Sequence, residues 1–487
     1  MATPDKGSTP SANSAQFLLS QILQATNGEL VSPRENSRIE TFCTGVSTDT
    51  RTLENGALFI ALKGENFDGH KYLTQAADGG AIAAIVEKSS LTEIENAPDS
   101  LALIAVDNTL EALGALAAFH RRRFDIPVVA VTGSYGKTTT RAMIAAALGA
   151  KYNVLTSQGN FNNEIGVPQT LLKLNESHEV AVIEMGMRGE GQIEYLSEIA
   201  SPTIGVITNI GPQHIELLGS IQNIAEAKAE VLQSLPPHGA AILSADDEYI
   251  DFFTDQVAGS VVRFGLNPSA EFHVSSTHTE TNGNISFSIQ NSELKTRNLK
   301  LPLPGEHNAV NAAAALAVAG VLGVPLEDAA RALENVEVPG ARMRVIKNEK
   351  LGLTVIDDCY NAGPTSTRAA LQTLRDFPII AGNPGRRVAV LGAMKELGHH
   401  SAAEHRGVGA LAAHCAELVI GVGEDTKPLL EEAQAVGAIP FHTHLCEDAD
   451  CAATQVRDWV REGDVILVKG SRSVGLETVV NALAVGD

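Results

Sequence analysis

The sequence predicts an α/β protein with mostly parallel sheets, divided into three domains. Three observations carry that prediction. Short apolar runs recur along the chain, and the clearest of them end directly in polar or glycine-rich residues. Segments with helical spacing separate the runs, giving the rhythm of strand–helix–strand units. The chain also has 487 residues, room for roughly two to four domains.

In order along the chain, residues 1–15 carry neither a basic segment nor an apolar one and read as a flexible tail. Residues 16–124 hold apolar runs at 57–62, 81–86 and 101–106 and read as a small α/β domain. Residues 125–338 form the central domain. Its runs at 128–131, 180–183 and 204–207 lead straight into Thr132-Gly133, Glu184 and Thr208-Asn209. Continuous apolar runs of this length suit strands buried on both faces of a parallel sheet. Ligands of such sheets lie beyond the carboxyl ends of the strands, so these polar residues are expected to converge. Asn282-Gly283 before the alternating Ile285-Ser286-Phe287-Ser288-Ile289 predicts a hairpin. Residues 339–487 repeat the rhythm, with strands expected at 353–356, 388–391, 418–422 and 465–468. A Rossmann-like C-terminal domain is the natural reading.

Composition narrows the function. With 44% apolar and 19% charged residues the chain is an ordinary globular protein. No apolar run is long enough to span a membrane, and no secretory signal is visible, so a cytoplasmic protein is expected. A formal charge of −22 argues against a nucleic-acid partner. Arg121-Arg122-Arg123 is the one compact basic cluster and reads as a solvated helix end. Five scattered cysteines give no disulfide framework and read as structural thiols.

The segment Thr132-Gly133-Ser134-Tyr135-Gly136-Lys137-Thr138-Thr139 joins a predicted strand to an alanine-rich helix. Backbone N–H groups and the helix dipole there attract phosphate. Glycines let the backbone come close, Lys137 adds a point charge, and the Thr138 hydroxyl can hold Mg²⁺. The loop is two residues shorter than the usual P-loop, since only Ser134 and Tyr135 separate Gly133 from Gly136; the alternative is a plain glycine-rich turn, and the strand and helix on either side favour nucleotide binding. Glu184, closing a buried strand, reads either as a Mg²⁺ ligand or as an acid at a helix N-terminus. His214 lies on a loop after another strand and reads either as polar surface or, beside the phosphate loop and Glu184, as a metal ligand or substrate contact. Lys228 falls in the apolar stripe of Ile221, Ile224, Ala225, Val231, Leu232 and Leu235. It either snorkels to water or sits buried as a neutral amine able to take up CO₂ and become an anionic carbamate. Asn308 and Asn311 share one face of a helix expected over 308–322 and suit either helix capping or adenine recognition. Arg342, Arg344, Asp357 and Asp358 read as surface charge or as groups facing a nucleotide across a domain junction.

Taken together these residues resemble the Mur ligases, ATP-dependent enzymes that build the peptide of bacterial peptidoglycan. The resemblance rests on the loop at 132–139, Glu184, Asn209 with His214, Lys228, His307-Asn308 with Asn311, and Arg342. It covers nearly the whole chain beyond the tail. Four further stretches, 159–166, 357–362, 391–398 and 468–472, are most like the family's last cytoplasmic step. That step joins D-alanyl-D-alanine to UDP-N-acetylmuramoyl-tripeptide through an acyl phosphate, with ATP going to ADP and phosphate. One departure stands out: the family pattern Asn-Ala-Asn-Pro is here Asn361-Ala362-Gly363-Pro364.

The resemblance implies roles for single residues. Gly133, Ser134, Gly136, Lys137, Thr138 and Thr139 bind ATP phosphates. Asn308 and Asn311 position the nucleotide, and Arg342 and Asp358 contact ATP from the third domain. Thr138 and Glu184 hold one Mg²⁺; His214 and carbamoylated Lys228 hold a second. Ser47, Thr48, Asp49 and Arg51, with Asn160 and Asn163, bind the uridine-diphosphate substrate. Asp68-Gly69-His70 matches the pattern of the same domain. The catalytic set is Lys137, Lys228, His214 and Glu184. The third domain is expected to close over the site. The partners expected are small molecules only, with a monomeric enzyme and no membrane insertion. The alternatives are another ligase of the superfamily, such as an earlier Mur ligase or a folylpolyglutamate synthase, or a non-catalytic nucleotide-binding module.

Overall fold

The computed structural model describes residues 15–31, 40–94, 97–98, 100–379, 385–437 and 442–484. The expected tail lies outside these residues, except for Ala15. The chain forms two compact units.

The first unit comprises the described residues up to Val129, with Asn153–Met185 and Glu194–Pro202. Its five-stranded sheet runs in the order Glu29–Leu30, Ala102–Val106, Ala83–Glu87, Leu58–Ile60, Val46–Ser47. The first pairing is antiparallel and the others are parallel. All three apolar runs of the N-terminal block thus became strands. Phe59, Leu73, Val86, Leu101 and Leu103 form the core on one face. Burying such side chains contributes about 1.5–3 kcal/mol each. In the same unit Val154–Thr156 pairs in parallel with Val180–Glu184.

The arginine cluster differs from the sequence expectation. Helix Thr109–Arg121 is capped by Asn108, whose side chain accepts from Leu110 and Glu111 N–H. At its far end Arg121 is buried, not solvated. Its guanidinium donates to the carbonyls of Ala200, Phe124 and Ile126. Arg123 lies 4.7 Å from the Phe17 ring centre and 4.8 Å from that of Phe119. A guanidinium satisfies several carbonyls that would otherwise be stranded, which explains a buried arginine at a chain crossing.

The second unit comprises Ala130–Tyr152, Gly186–Ile193 and the described residues from Thr203 on. Strands Ile204–Ile207, Ala240–Ser244, Ser260–Gly265 and Phe272–Thr279 follow one another in parallel. The chain then turns at Asn282-Gly283, and Ile285–Asn291 and Lys295–Leu301 add antiparallel strands, as the alternation predicts. Helices Lys137–Gly149 and Glu306–Val321 pack against each other.

The same unit contains a six-stranded sheet ordered Arg344–Asn348, Leu353–Asp357, Val465–Lys469, Arg387–Gly392, Leu418–Val422, His442–Cys446. Only the first strand is antiparallel. Val355, Val390, Ile420 and Ile466 are fully buried between this sheet and its helices. This is the Rossmann-like arrangement expected, with Asp357 and Lys469 at carboxyl ends of adjacent strands. Among the described residues no helix is long and apolar enough to cross a membrane.

Candidate nucleotide and metal site

The phosphate-loop segment leaves strand Val128–Thr132 and ends on the N-terminus of helix Lys137–Gly149. Gly133 has φ +139°, and a Cβ there would lie 2.0 Å from Thr208 Oγ1. Only glycine fits that conformation and that spacing. Gly136 caps the helix in a left-handed conformation, φ 78°. The next strand's loop grips this turn from behind. Ser134 N–H donates to Asn209 O (2.9 Å), and Tyr135 N–H to Asn209 Oδ1 (3.0 Å). Thr208 Oγ1 and Asn209 Nδ2 both donate to Tyr135 O, at 2.5 and 3.1 Å. Ser134 Oγ exchanges hydrogen bonds with Gly211, donating to its O and accepting from its N, both 3.0 Å. The loop is thus held in shape by protein groups. Lys137 Nζ donates to Gly133 O (2.7 Å) and Ser134 O (3.2 Å), which folds the ammonium over the loop. Thr138 and Thr139, in the first helical turn, are buried.

Tyr135 points away from this turn into a slot made by other segments of the unit. Its ring packs between Gly211 and Gly363 and beside Thr365. A Cβ on Gly363 would lie 2.8 Å from Tyr135 Cε1. The glycine that breaks the Asn-Ala-Asn-Pro pattern therefore makes room for this ring. Burial pushes the Tyr135 phenol well above its ordinary pKa.

Lys228 lies in helix Ile221–Gln233 and is 4% exposed, so it does not snorkel to water. Burial lowers the pKa of its amine well below the ordinary value. The Lys137 cation adds to that effect, and Glu230 offsets it in part. His214 precedes the short helix Ile215–Leu218 with a left-handed backbone, φ 59°. Burial holds its pKa down; the Glu396 carboxylate opposes that, while Lys137 and Lys228 reinforce it. Glu396 Oε2 lies 2.5 Å from His214 Nδ1.

Asn308 is not a cap, because helix Glu306–Val321 starts two residues earlier with Gly305 as its N-cap. Its amide donates to Pro304 O (2.7 Å), and Asn311 Nδ2 donates to Asn308 Oδ1 (3.3 Å). Asn311 packs against Gly136, which brings this helix to the phosphate loop. Beside Asn308, burial pushes His307 down to about 4; Asp358 opposes this and Lys469 adds to it. The start of the helix therefore meets the C-terminal sheet.

There Lys469, 3% exposed, pairs with Asp358 at 2.6 Å and donates to Asn361 O at 3.0 Å. Asp358 Oδ1 also accepts from Met343 N–H. The guanidinium of Arg342 lies 3.8 Å from the Tyr360 ring centre and that of Arg472 5.6 Å from it. Asp357 is buried and is not surface charge, while its partner Arg344 stays largely exposed.

In the first unit, Glu184 ends its strand 2% exposed and accepts from Asn162 Nδ2 at 2.8 Å. Asn160 and Asn163 are exposed, and Asn163 Oδ1 accepts from Gly166 N–H. Asp49 Oδ1 accepts from both the N–H and the guanidinium of Arg51, each at 2.9 Å. Those bonds hold the Asp49 carboxyl down to about 2 and present an exposed Arg51. Ser47 Oγ accepts from Asp49 N–H, and Thr48 Oγ1 accepts from Gln169. His70 plays a supporting part: Nδ1 faces Asp68 and Nε2 accepts from Glu87 N–H, pinning the end of strand Ala83–Glu87.

The structure thus brings Lys137, His214, Lys228, Asn308, Asn311 and the loop glycines together in one unit, with Asp358 near the start of the same helix. It bears out the expected convergence of Thr208 on the loop and gives individual roles to Tyr135, Glu396 and Lys469, which the sequence offered only as members of longer stretches. Of these three, Lys469 carried a local signal, a charge closing a buried strand as Glu184 does.

Comparison with known proteins agrees across the chain. Residues 131–319 match the Mur ligase middle domain, 341–472 the Mur ligase glutamate ligase domain, and 43–121 the Mur ligase family catalytic domain. A UDP-N-acetylmuramoyl-tripeptide–D-alanyl-D-alanine ligase from Synechocystis is 40% identical over 474 residues, covering 96% of each chain. One of the same name from Bacillus subtilis is 37% identical over 463 residues, 95% of this chain and 97% of its own. The crystal structure of MurF from Acinetobacter baumannii aligns over 97% of this chain and 99% of its own, with a TM-score of 0.85 and 31% identity. MurF from Thermotoga maritima, solved in complex with ADP, gives a TM-score of 0.79 at 27% identity over 90% of this chain and 96% of its own. The chain belongs to the Mur ligase family.

Proposed function

We propose that this chain joins D-alanyl-D-alanine to UDP-N-acetylmuramoyl-tripeptide, driven by ATP, in the cytoplasmic assembly of peptidoglycan precursors. The observation that carries the reading is the pinned phosphate loop, with Lys137 folded over it and a buried, depressed-pKa lysine nearby. The relatives named above supply the substrates. The division of labour follows the sequence: residues 16–124 for the uridine-diphosphate end, 125–338 for ATP, 339–487 for closure. Ser47, Thr48, Asp49, Arg51, Asn160 and Asn163 are assigned to the UDP substrate, with Arg51 held out by Asp49.

A carboxylate has no leaving group, so it must be activated. Its oxygen attacks the γ-phosphorus of ATP, ADP departs, and an acyl phosphate results. The amine of the dipeptide attacks the acyl carbon, and phosphate leaves from the tetrahedral intermediate. The main obstacle is repulsion between two anions. Lys137 and the loop amides offset it by holding the phosphates, which is electrostatic preorganisation. Asn308 and Asn311 brace the loop and the nucleotide, and Arg342 and Asp358 approach ATP from the C-terminal sheet.

Mg²⁺, when bound, neutralises charge on the β- and γ-phosphates. Thr138 offers a hydroxyl for one ion, and family resemblance assigns the Glu184 carboxylate to it. These are the oxygen donors Mg²⁺ prefers. His214 and Lys228 fit a second ion only if Lys228 changes its charge, because Lys137, Lys228 and a metal would otherwise crowd three cations. A buried amine with a lowered pKa is the form that adds CO₂. The carbamate turns Lys228 into an anionic oxygen ligand and resolves the conflict.

The decisive assay is release of ADP and phosphate from ATP with the UDP-linked tripeptide, with and without D-alanyl-D-alanine. Turnover that requires both substrates is expected. Turnover indifferent to the dipeptide would overturn the assignment. Small-angle scattering tests closure: substrates should compact the protein, and an unchanged profile at saturation counts against it.

A further inference from the structure

The loop after strand Arg387–Gly392 reaches the metal-side histidine. Glu396 has a left-handed backbone, φ 63°, in a residue type that seldom adopts it. Its partner His214 is left-handed too. Two strained residues from segments 182 positions apart (396 − 214) meet at 2.5 Å, between Glu396 Oε2 and His214 Nδ1. The contact is braced on both sides. Gly398 packs against the Glu216 side chain, and Arg188 lies 3.8 Å from the other Glu396 oxygen. The His214 ring is only 19% exposed, and Lys137 and Lys228 press on it from the central domain. Among the described residues, Glu396 is the acidic side chain that faces the ring.

We propose that Glu396 is a positioning residue for His214, delivered from the C-terminal domain. The carboxylate takes Nδ1, fixes the tautomer and ring angle, and leaves Nε2 as the donor atom for the metal. A carboxylate behind a metal-binding histidine is a general means of orienting the ligand and raising its basicity. Here the carboxylate and the histidine belong to different domains, so the metal site is complete only when the C-terminal domain is docked. Metal binding and closure then favour each other. The proposal rests on His214 being a metal ligand.

The test is Mn²⁺ binding to the full-length protein with ADP present, read by electron paramagnetic resonance, which does not depend on turnover. His214→Ala sets the reference for losing the ligand. Glu396→Ala is expected to weaken Mn²⁺ binding about 10- to 100-fold. Glu396→Gln keeps the shape without the charge and is expected to fall between Glu396→Ala and wild type. Lys395→Ala controls for damage to the loop, since Lys395 pairs with Asp425 instead and should leave Mn²⁺ affinity unchanged. If His214→Ala weakens binding while both Glu396 variants match wild type, the positioning role is overturned. If His214→Ala also matches wild type, the reading of His214 as a ligand fails, and the proposal fails with it.

Discussion

Lys228 and Lys469 are almost equally buried, at 4% and 3% exposure, yet their surroundings are opposite. Lys469 has a carboxylate 2.6 Å away and a backbone carbonyl at 3.0 Å. It is a charge fully answered by its neighbours. Lys228 makes no ion pair among the described residues, and its charged neighbours include a second cation, Lys137. One lysine holds two strand ends together. The other is kept at a chemical disadvantage that only a change of state relieves. Burial alone therefore says little about what a lysine does, and the sign of the nearest charge says most of it.

The largest effect expected from this contrast is on turnover. Lys228→Ala should reduce kcat by about a thousandfold, the scale of losing one preorganised group in a charged transition state. A short carboxylic acid added to the assay should restore part of the rate, and full activity in the variant would remove the carbamate. Next comes the cost of breaking the answered pair. Asp358→Ala leaves the Lys469 ammonium buried without a counter-charge, with only the Asn361 carbonyl beside it, and denaturant unfolding should show a loss of about 3–5 kcal/mol. Replacing both, Asp358→Leu with Lys469→Met, should cost less than either single change. A smaller effect of opposite sign is expected at the reactive lysine. Lys228→Met should raise unfolding stability by about 0.5–2 kcal/mol while losing activity, the usual trade at a strained site.

The last prediction concerns pH. His307 has a folded pKa of about 4, well under its ordinary value, chiefly through burial. The unfolded chain then binds the proton more readily, so this residue withdraws stability as the pH falls from about 6.5 towards 4. His307→Gln should flatten the fall in melting temperature over that window, and an unchanged slope would show that the ring titrates normally.

Much of this could be read from the chain before folding. Apolar runs that end in Thr132-Gly133, Glu184 and Thr208-Asn209 gave both the strands and the residues at their carboxyl ends, because strand period and burial are local properties. Lys228 was visible as a charge inside an apolar stripe for the same reason. Arg121 was misread because its partners, Ala200 and Ile126 among them, are carbonyls that no local pattern announces. The Lys469–Asp358 pair spans 111 positions, and Glu396 meets His214 across a longer interval still. The first pairing is set by which strands become neighbours in one sheet, the second by how two domains pack. Asn308 was half legible: its place near a helix start was right, but the cap is Gly305, whose positive φ of 96° favours glycine.

The slot that accepts Tyr135 has a consequence for how this enzyme can vary. An asparagine restored at position 363 would meet the aromatic ring, and a smaller residue at 135 would leave a void beside two glycines. The two positions, far apart in sequence, can drift only in step. Relatives should therefore sort into two kinds, those with a bulky ring in the turn and glycine opposite, and those with neither. A chimera that mixes the kinds should assemble poorly even with every catalytic group intact.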